Sequence, residues 1–237
     1  MNMRGSRNVS HRILYTNQNF DSDMPGKRTL VITCEHASNA VPAFAKSAFA
    51  GCGELLGTHR GYDIGAFCVY RHLCKDLRPD YSCAGKYSRL AIDLNRSLNH
   101  PNIFSEYSEK LPEAAKEKLR GIWRAHRSPA EEFIGKALRK GADSQVLHLG
   151  IHSFTPVMNG TPRNADIGIL YDPARPAEKE AARTLKKKFS EKYPEFKIRF
   201  NYPYRGAADG FTTALRKKFG ARYIGLEIEI NQALLTK

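Results

Sequence analysis

Short apolar runs alternate along the chain with longer segments in which apolar residues recur at helical spacing. The short runs are typical of buried β-strands, and the longer segments are typical of amphipathic helices. Strands are predicted at residues 29–33, 90–94, 145–151, 166–171, 197–201 and 223–230. Helices are predicted at about residues 63–77, 112–140, 177–192 and 210–219. Ser128 and Pro129 should interrupt the second helix, because serine is a good N-cap and proline is a good first-turn residue.

This alternation indicates a mostly parallel sheet that helices cover on both faces. The expected fold class is therefore α/β, as a three-layer α/β/α sandwich with a mostly parallel mixed sheet. Residues 28–237 are expected to form a single domain, since a chain of this length can bury a sizeable core. Residues 1–27 are polar and lack the apolar centre of a signal peptide. They are expected to be a flexible N-terminal lead-in.

Composition narrows the class of protein further. Hydrophobic residues make up 41% and charged residues 26% of the 237 positions, as in ordinary globular proteins. No apolar run reaches the roughly 18 residues of a membrane-spanning helix, so no membrane association is expected. The five cysteines are odd in number and form no CxxC pair, which argues against a disulfide framework. Reduced thiols fit a cytoplasmic protein.

The formal net charge of +14 makes nucleic-acid binding an alternative function. The lysines and arginines, however, are spread over amphipathic segments that carry both signs, such as residues 178–192. A solvated basic surface is therefore the preferred interpretation, and nucleic-acid binding is the weaker one. Such a surface would also attract an anionic substrate.

Two histidines follow predicted strands that lie far apart in the sequence. His36 comes just after the strand at residues 29–33, and His152 directly follows the strand at residues 145–151. Ligands of parallel sheets bind beyond the carboxyl ends of the strands, and neutral imidazoles are favoured zinc ligands. Either histidine alone could be merely structural, but the pair predicts a site for one Zn²⁺ ion.

A zinc site that leaves one position open for water needs a third protein ligand. Asp63 and His59, near the start of the first long helix, are the candidates, although Asp63 could serve only as a helix cap. Glu35 is a further alternative, even though extended geometry would turn it away from His36.

Charged residues also accompany two other predicted strands. Arg89 and Arg96 flank residues 90–94. A planar guanidinium can hold a carboxylate through two hydrogen bonds, so Arg96, with Arg89 as the second candidate, is predicted to bind an acidic substrate.

Glu227 and Glu229 share one face of the last strand, where a carboxylate is costly to bury unless it is paired, metal-linked or catalytic. Either one could be a general base or the partner of an arginine.

Six segments carry these residues, and they resemble the N-formylglutamate amidohydrolase family in the family's own order. They are CEHASN (34–39), HRGYDIGA (59–66), YSRLAIDLNR (87–96), IHSFTP (151–156), NYPYRG (201–206) and GLEIEINQ (225–232). The resemblance covers nearly everything after Lys27. It implies a phosphorylase/hydrolase-like α/β/α fold, related to that of zinc carboxypeptidases and aspartoacylase.

The resemblance also implies the metal ligands. His152 corresponds to the last zinc ligand of the carboxypeptidases. The first two ligands of that superfamily come from a His-x-x-Glu motif, whereas here the residue three after His36 is Asn39. The acidic ligand implied by the family is therefore Asp63, and the expected cofactor is one Zn²⁺ ion held by His36, Asp63 and His152.

The substrate contacts follow from the same comparison. The segment DLNR is similar to an Asp-x-Asn-Arg motif whose Asn and Arg hold the substrate carboxylate, here Asn95 and Arg96. Arg205 is expected to help them. Arg89 is placed like an arginine that polarises the scissile carbonyl or binds the acid.

The resemblance finally implies the reaction. Glu229 corresponds to the superfamily's catalytic glutamate through its following Ile-Asn-Gln, which leaves Glu227 as the fallback base and as a substrate-binding candidate. The expected activity is zinc-dependent hydrolysis of N-formyl-L-glutamate to formate and L-glutamate, a step in histidine degradation. Another acidic N-acyl amino acid or a small peptide is the alternative substrate.

Overall fold

The structure, a computed structural model, describes residues 28–235, so the predicted lead-in at residues 1–27 lies outside the described residues. The strands are β1 (Arg28–Cys34), β2 (Tyr81–Ala84), β3 (Gln145–Phe154), β4 (Val157–Met158), β5 (Thr161–Pro162), β6 (Ile167–Leu170), β7 (Ile198–Phe200) and β8 (Tyr223–Asn231). The α-helices are α1 (Gly53–Leu56), α2 (Ala66–Leu77), α3 (Glu113–Leu138), α4 (Pro176–Lys192) and α5 (Phe211–Phe219). Short 3₁₀ segments occupy Ala43–Phe49, Ser108–Lys110, Gly220–Arg222 and Gln232–Leu234.

Six of these strands form one sheet in the order β2-β1-β3-β8-β6-β7. Strands β2, β1, β3 and β8 are parallel to one another, whereas β6 pairs with β8 in the antiparallel direction and with β7 in the parallel direction. Strands β4 and β5 form a separate hairpin. Because β3 and β8 occupy the centre, both of their faces are covered, which explains their nearly continuous apolar runs. The mostly parallel mixed sheet is thus confirmed.

Helices cover both faces of the sheet. On one face, Leu147, Leu149 and Ile151 of β3 pack in one apolar cluster with α2 and α4. On the other face, Val146 of β3 and Tyr223 of β8 pack with α3 and α5. Since successive side chains of a strand point to opposite faces, even-numbered residues of β3 and odd-numbered residues of β8 share the α3–α5 side. The three-layer α/β/α fold is confirmed.

The strand predicted at residues 90–94 is wrong. Leu90, Ile92 and Leu94 are buried, but the backbone there forms turns, and these side chains pack in a separate apolar cluster with Phe49 and Leu119. A short apolar run cannot distinguish a buried strand from a buried irregular segment. The DLNR segment (93–96) therefore lies on a turn and not at the end of a strand.

Two helix boundaries also differ from the prediction. Helix α3 continues through Pro129 without a break. Pro129 and Ala125, the residue whose carbonyl loses its helical hydrogen bond, both lie on the exposed side, so water can replace that bond. Helix α2 begins at Ala66 rather than near residue 63, and its N-cap is Gly65 with a φ of 79°. Asp63 is therefore free of a capping role.

Glu178 of α4 is completely buried and joins α4 to α5. Its Oε1 accepts hydrogen bonds from Nε of Arg216 at 2.8 Å and from Nε of Arg175 at 3.0 Å. Removing the carboxylate leaves the Arg216 guanidinium buried without a counter-charge. We expect Glu178→Ala to lower the free energy of unfolding by about 3–5 kcal/mol, measured by urea denaturation.

The matched control is Glu180→Ala, because Glu180 lies on the same helix but is exposed. Its substitution should change the free energy of unfolding by no more than about 0.5 kcal/mol. Equal effects of the two substitutions would mean that the buried ion pair contributes nothing to stability.

Two further features concern the described chain as a whole. Within residues 28–235, no helix is long and apolar enough to cross a membrane. All five cysteines are free thiols, and Cys34 is buried in the sheet.

Candidate functional site

A cavity of about 350 Å³ lies at the carboxyl ends of β1, β3 and β8. Its size is near the lower end of the range for small-molecule sites. Its walls contain all nine residues that the sequence assigned to the site, namely His36, Asp63, Arg89, Asn95, Arg96, His152, Arg205, Glu227 and Glu229. The strand ends thus bring together side chains that are up to about two hundred positions apart in the chain.

Three buried side chains meet at one point of this cavity. Nδ1 of His152 lies 2.9 Å from Oδ2 of Asp63, and Nδ1 of His36 lies 3.5 Å from the same oxygen. One ligand atom from each of the three residues lies within 4.8 Å of the others. The backbone N–H of Asp63 donates to the carbonyl of His36 at 2.9 Å, which ties the loop before α2 to the end of β1.

Each histidine also lies near a second carboxylate, which faces its other ring nitrogen, Nε2. Nε2 of His36 lies 2.7 Å from Oδ1 of Asp93, and Nε2 of His152 lies 3.3 Å from Oε2 of Glu35. Oε1 of Glu35 in turn lies 3.6 Å from Nε2 of His126 in α3. Outer carboxylates of this kind fix the ring orientation of a metal-binding histidine and raise its basicity. Both imidazoles are therefore held with Nδ1 toward Asp63.

These carboxylates favour positive charge on the two rings. Burial would lower the pKa of His152, but Asp63 and Glu35 outweigh burial and raise that pKa well above its usual value. Burial also opposes charge on His36, whose pKa is nevertheless raised by Asp93 and Asp63. Burial would raise the pKa of Asp63, but the cations around it hold that pKa well below its usual range. The cluster thus favours a bound cation.

The donor set fits a divalent metal ion. Two imidazole nitrogens and one carboxylate oxygen are a donor set of catalytic zinc sites, in which a further position stays open for water. Nδ1 of His36 is buried and makes no hydrogen bond to any residue in the described range. His36, Asp63 and His152 would therefore hold the ion, while Asp93 and Glu35 would orient the two histidines.

Arg89 contacts this cluster directly. Its Nη2 donates a hydrogen bond to Oδ1 of Asp63, the oxygen that faces away from the histidines. Its backbone N–H donates to the carbonyl of Gly61 at 3.1 Å, which fixes the start of the turn region. About a quarter of the Arg89 side chain is exposed, at 26%. The guanidinium thus balances the charge of Asp63 and also forms part of the cavity wall.

Glu229 lies beside His152, because these two residues are paired in the register of β3 and β8. Glu229 is buried, and its Oε2 has no hydrogen-bond partner among the described residues. Burial raises the pKa of Glu229 to about 8. Glu227 is less buried, and its Oε1 accepts a hydrogen bond from Oγ1 of Thr212 at 2.8 Å. Of the two glutamates, Glu229 is the one with an unoccupied carboxylate oxygen next to the histidine.

The turn that contains Asn95 and Arg96 is hydrogen-bonded to the first residue of α5 and to the loop before it. Oδ1 of Asn95 accepts from the backbone N–H of Phe211 at 2.7 Å. Nη1 of Arg96 donates to the carbonyl of Asp209 at 3.0 Å, and Oδ2 of Asp209 accepts from the backbone N–H of Ser97 at 3.0 Å. With its oxygen engaged, Asn95 offers a carboxylate its Nδ2 group.

The loop between β7 and α5 forms the opposite rim of the cavity. Arg205 and Tyr204 are both exposed there. The hydroxyl of Tyr204 accepts a hydrogen bond from Nη1 of Arg163 at 3.2 Å, and the Arg163 guanidinium lies 5.1 Å from the ring centroid. Because Arg205 lines the cavity and is also exposed, it lies at the mouth of the cavity.

Some features of the site were not foreseen. His59 is exposed and lies outside the cavity wall, and Glu35 reaches His152 instead of facing away from the site. Asp93 was missed, although it stands inside the DLNR segment as the polar residue between two buried ones. Asp209 also lines the cavity, and no motif in the sequence signals it.

Comparisons with known proteins agree with the family that the six sequence segments resemble. The family model for N-formylglutamate amidohydrolase matches residues 28–236. Among solved structures, gene product Atu2144 from Agrobacterium tumefaciens aligns with a TM-score of 0.66 and 24% identity, over 89% of this chain and 83% of its own. N-formylglutamate amidohydrolase from Ralstonia eutropha JMP134 aligns with a TM-score of 0.51 and 18% identity, over 88% of this chain and 84% of its own. Because their sequence identities to this chain are low, these two structures support only the assignment of the fold. The comparison with curated proteins gives no match.

Proposed function

The chain belongs to the N-formylglutamate amidohydrolase family, and on that premise we propose that it hydrolyses the amide bond of a small acidic N-acyl amino acid. N-formyl-L-glutamate is the first candidate, with formate and L-glutamate as products and histidine degradation as the setting. The observation that carries this proposal is the buried cluster of His36, Asp63 and His152 beside Glu229. Amide hydrolysis needs a polarised carbonyl and a base for the attacking water, and this arrangement can serve both needs.

Zn²⁺ is the proposed cofactor, held by His36, Asp63 and His152. A bound Zn²⁺ would supply a Lewis acid for the scissile carbonyl and would lower the pKa of water to about 7. The two histidines would bind it in their neutral form, and the carboxylates of Asp93 and Glu35 would hold both rings with Nδ1 toward Asp63. With only one carboxylate among the three ligands, a divalent ion and its ligands would together keep a net positive charge.

Glu229 is the proposed general base. It takes a proton from the attacking water as the water oxygen bonds to the carbonyl carbon, and it returns that proton to the leaving nitrogen as the carbon–nitrogen bond breaks. Burial raises the pKa of Glu229, so its carboxylate is a stronger base than that of an exposed glutamate. Arg89, which lies against Asp63 on the cavity wall, is proposed to stabilise the negative charge on the carbonyl oxygen.

Substrate recognition is assigned to the polar groups away from the cluster. Asn95 and Arg96 would bind one carboxylate, and Arg205 at the mouth would bind a second one. Glu227 remains a further substrate-binding candidate. A cavity of about 350 Å³ suits a substrate of amino-acid size. The five free thiols fit the reducing cytoplasm, where we propose that the protein acts.

The test is to measure metal content and hydrolysis on the same wild-type preparation. We expect about one divalent ion per chain after dialysis, because the cluster offers three ligands for one ion. We also expect N-formylglutamate to be hydrolysed with a higher kcat/KM than N-formylleucine, which has the same acyl group but lacks the second carboxylate. N-acetylglutamate and a glutamate-containing dipeptide complete the panel.

The outcomes separate the parts of the proposal. A protein that holds the metal but prefers N-acetylglutamate or the dipeptide would be a deacylase or peptidase with the same centre. Equal kcat/KM values for N-formylglutamate and N-formylleucine would show that Arg205 does not take part in substrate recognition. A chain that retains no divalent metal under any condition would refute the mechanism.

A further inference from the structure

Two side chains of α3 converge on one main-chain oxygen behind the cavity. Nε1 of Trp123 and Nη1 of Arg127 both donate to the carbonyl oxygen of Arg96, each at 2.9 Å. Trp123 and Arg127 are four positions apart and therefore lie on the same face of the helix. Helix α3 thus holds the main chain of Arg96 through two hydrogen bonds from residues that do not line the cavity.

Arg127 is an unusual residue to find in this place. Only 1% of it is exposed, and its guanidinium is stacked between the rings of Trp123 at 4.4 Å and Phe211 at 4.3 Å. Within residues 28–235, no carboxylate forms an ion pair with it. A buried cation without an ion-paired carboxylate is costly, and an apolar side chain would fill the same space more favourably. What arginine adds here is the hydrogen bond to the Arg96 carbonyl, together with its stacking on the two rings.

Further contacts hold the residues on either side of Arg96, which are Asn95 and Ser97. The ring of Phe211 stacks on Arg127, while its backbone N–H holds Oδ1 of Asn95 at 2.7 Å. The other end of the turn is tied to Asp209 by the backbone of Ser97 and by Nη1 of Arg96. Because residues 95–97 belong to neither a helix nor a strand, these contacts and not a backbone ladder determine where the Arg96 side chain points.

We propose that Arg127, assisted by Trp123, is a positioning residue that holds residues 95–97 so that the Arg96 guanidinium meets a substrate carboxylate. The proposal rests on the function given above, in which Arg96 binds that carboxylate. Arg127 does not line the cavity and does not touch the histidine cluster. Its loss should therefore weaken substrate binding and leave the metal and the bond-breaking step unchanged.

The experiment compares Arg127→Met and Trp123→Phe with Arg124→Met in the metal-loaded enzyme. Arg124 lies on the same helix but is exposed and, among the described residues, is bonded only to Glu117, so its substitution is the matched control. We expect the KM for N-formylglutamate to rise about tenfold in Arg127→Met, as for the loss of one charged hydrogen bond, with kcat and metal content unchanged. Trp123→Phe removes the donating N–H and leaves a smaller aromatic ring in its place, so it should raise KM by about threefold even if Arg127→Met folds poorly.

A second measurement does not depend on the substrate. Amide hydrogen exchange of residues 95–97 should become severalfold faster in Arg127→Met and Trp123→Phe, and should stay as in the wild type in Arg124→Met. Unchanged exchange together with an unchanged KM overturns the positioning role, and so does a fall in kcat with KM unaltered. If the wild type ignores N-formylglutamate, the proposed function fails on its own, and the exchange rates still decide whether α3 holds the turn.

Discussion

Glu229→Gln is expected to lower kcat about 10²- to 10⁴-fold while leaving the metal content unchanged. Glutamine has nearly the shape of glutamate but can neither take a proton from water nor return it to the leaving nitrogen. Glu229 is paired in register with His152, yet it is not one of the three residues that offer ligand atoms to one point. The measurement is kcat at saturating N-formylglutamate, with metal analysis of the same sample.

The variant should also remain folded. Glu229 is 5% exposed, and its Oε2 has no hydrogen-bond partner within the described residues. Burial raises the pKa of Glu229 and so already opposes its negative charge, which means that a neutral amide of the same volume costs little. A thermal unfolding midpoint within a few degrees of the wild type would exclude misfolding as the cause of lost turnover.

Glu227→Gln is the matched control, because Glu227 lies on the same face of β8 two positions earlier. Its Oε1 is already engaged by Oγ1 of Thr212 at 2.8 Å. We therefore expect its substitution to change KM more than kcat. If Glu227→Gln loses turnover and Glu229→Gln keeps it, Glu227 and not Glu229 is the general base.

The sheet was predictable from the chain because its central strands are covered on both faces. Strands β3 and β8 contain long apolar runs, and their predicted starts coincide with the observed ones at Gln145 and Tyr223. Strand β2, Tyr81–Ala84, was not predicted, since it is a short edge strand whose partly exposed residues show no apolar run. Burial on both faces therefore determines how much of a strand its sequence reveals.

The inner part of the candidate site was predictable for a different reason. His36, His152 and Glu229 each belong to a strand or lie within two residues of its end, so local sequence position already indicates their location at the carboxyl ends of the strands. The outer partners have no such signal. Glu35 and His126 are brought together only by the packing of α3 on the sheet, at 3.6 Å. Contacts that depend on the docking of a helix cannot be derived from periodicity.

His152→Ala is expected to abolish metal retention, and hydrolysis with it. The substitution removes one of three ligand atoms, the Nδ1 that lies 2.9 Å from Oδ2 of Asp63. Loss of an outer partner alone lowers metal affinity by 10- to 100-fold in other sites, so loss of a ligand should lower it by at least about 100-fold. Metal analysis after dialysis measures this directly. In addition, a chelator should lower the Tm of the wild type but not that of the variant, because only the wild type gains stability from the ion.

His148→Ala distinguishes loss of a ligand from damage to the fold. His148 is also a buried histidine on the α3–α5 face of β3, but its nitrogens bond to Oγ1 of Thr33 at 2.8 Å and to the hydroxyl of Tyr223 at 2.6 Å, away from the cluster. Its removal leaves two buried hydroxyls unpaired and should cost about 1–3 kcal/mol of stability. The folded His148→Ala protein should nevertheless retain its metal. If both variants lose metal equally, the loss reflects a weakened sheet; if His152→Ala keeps its metal, the cluster is not where the ion binds.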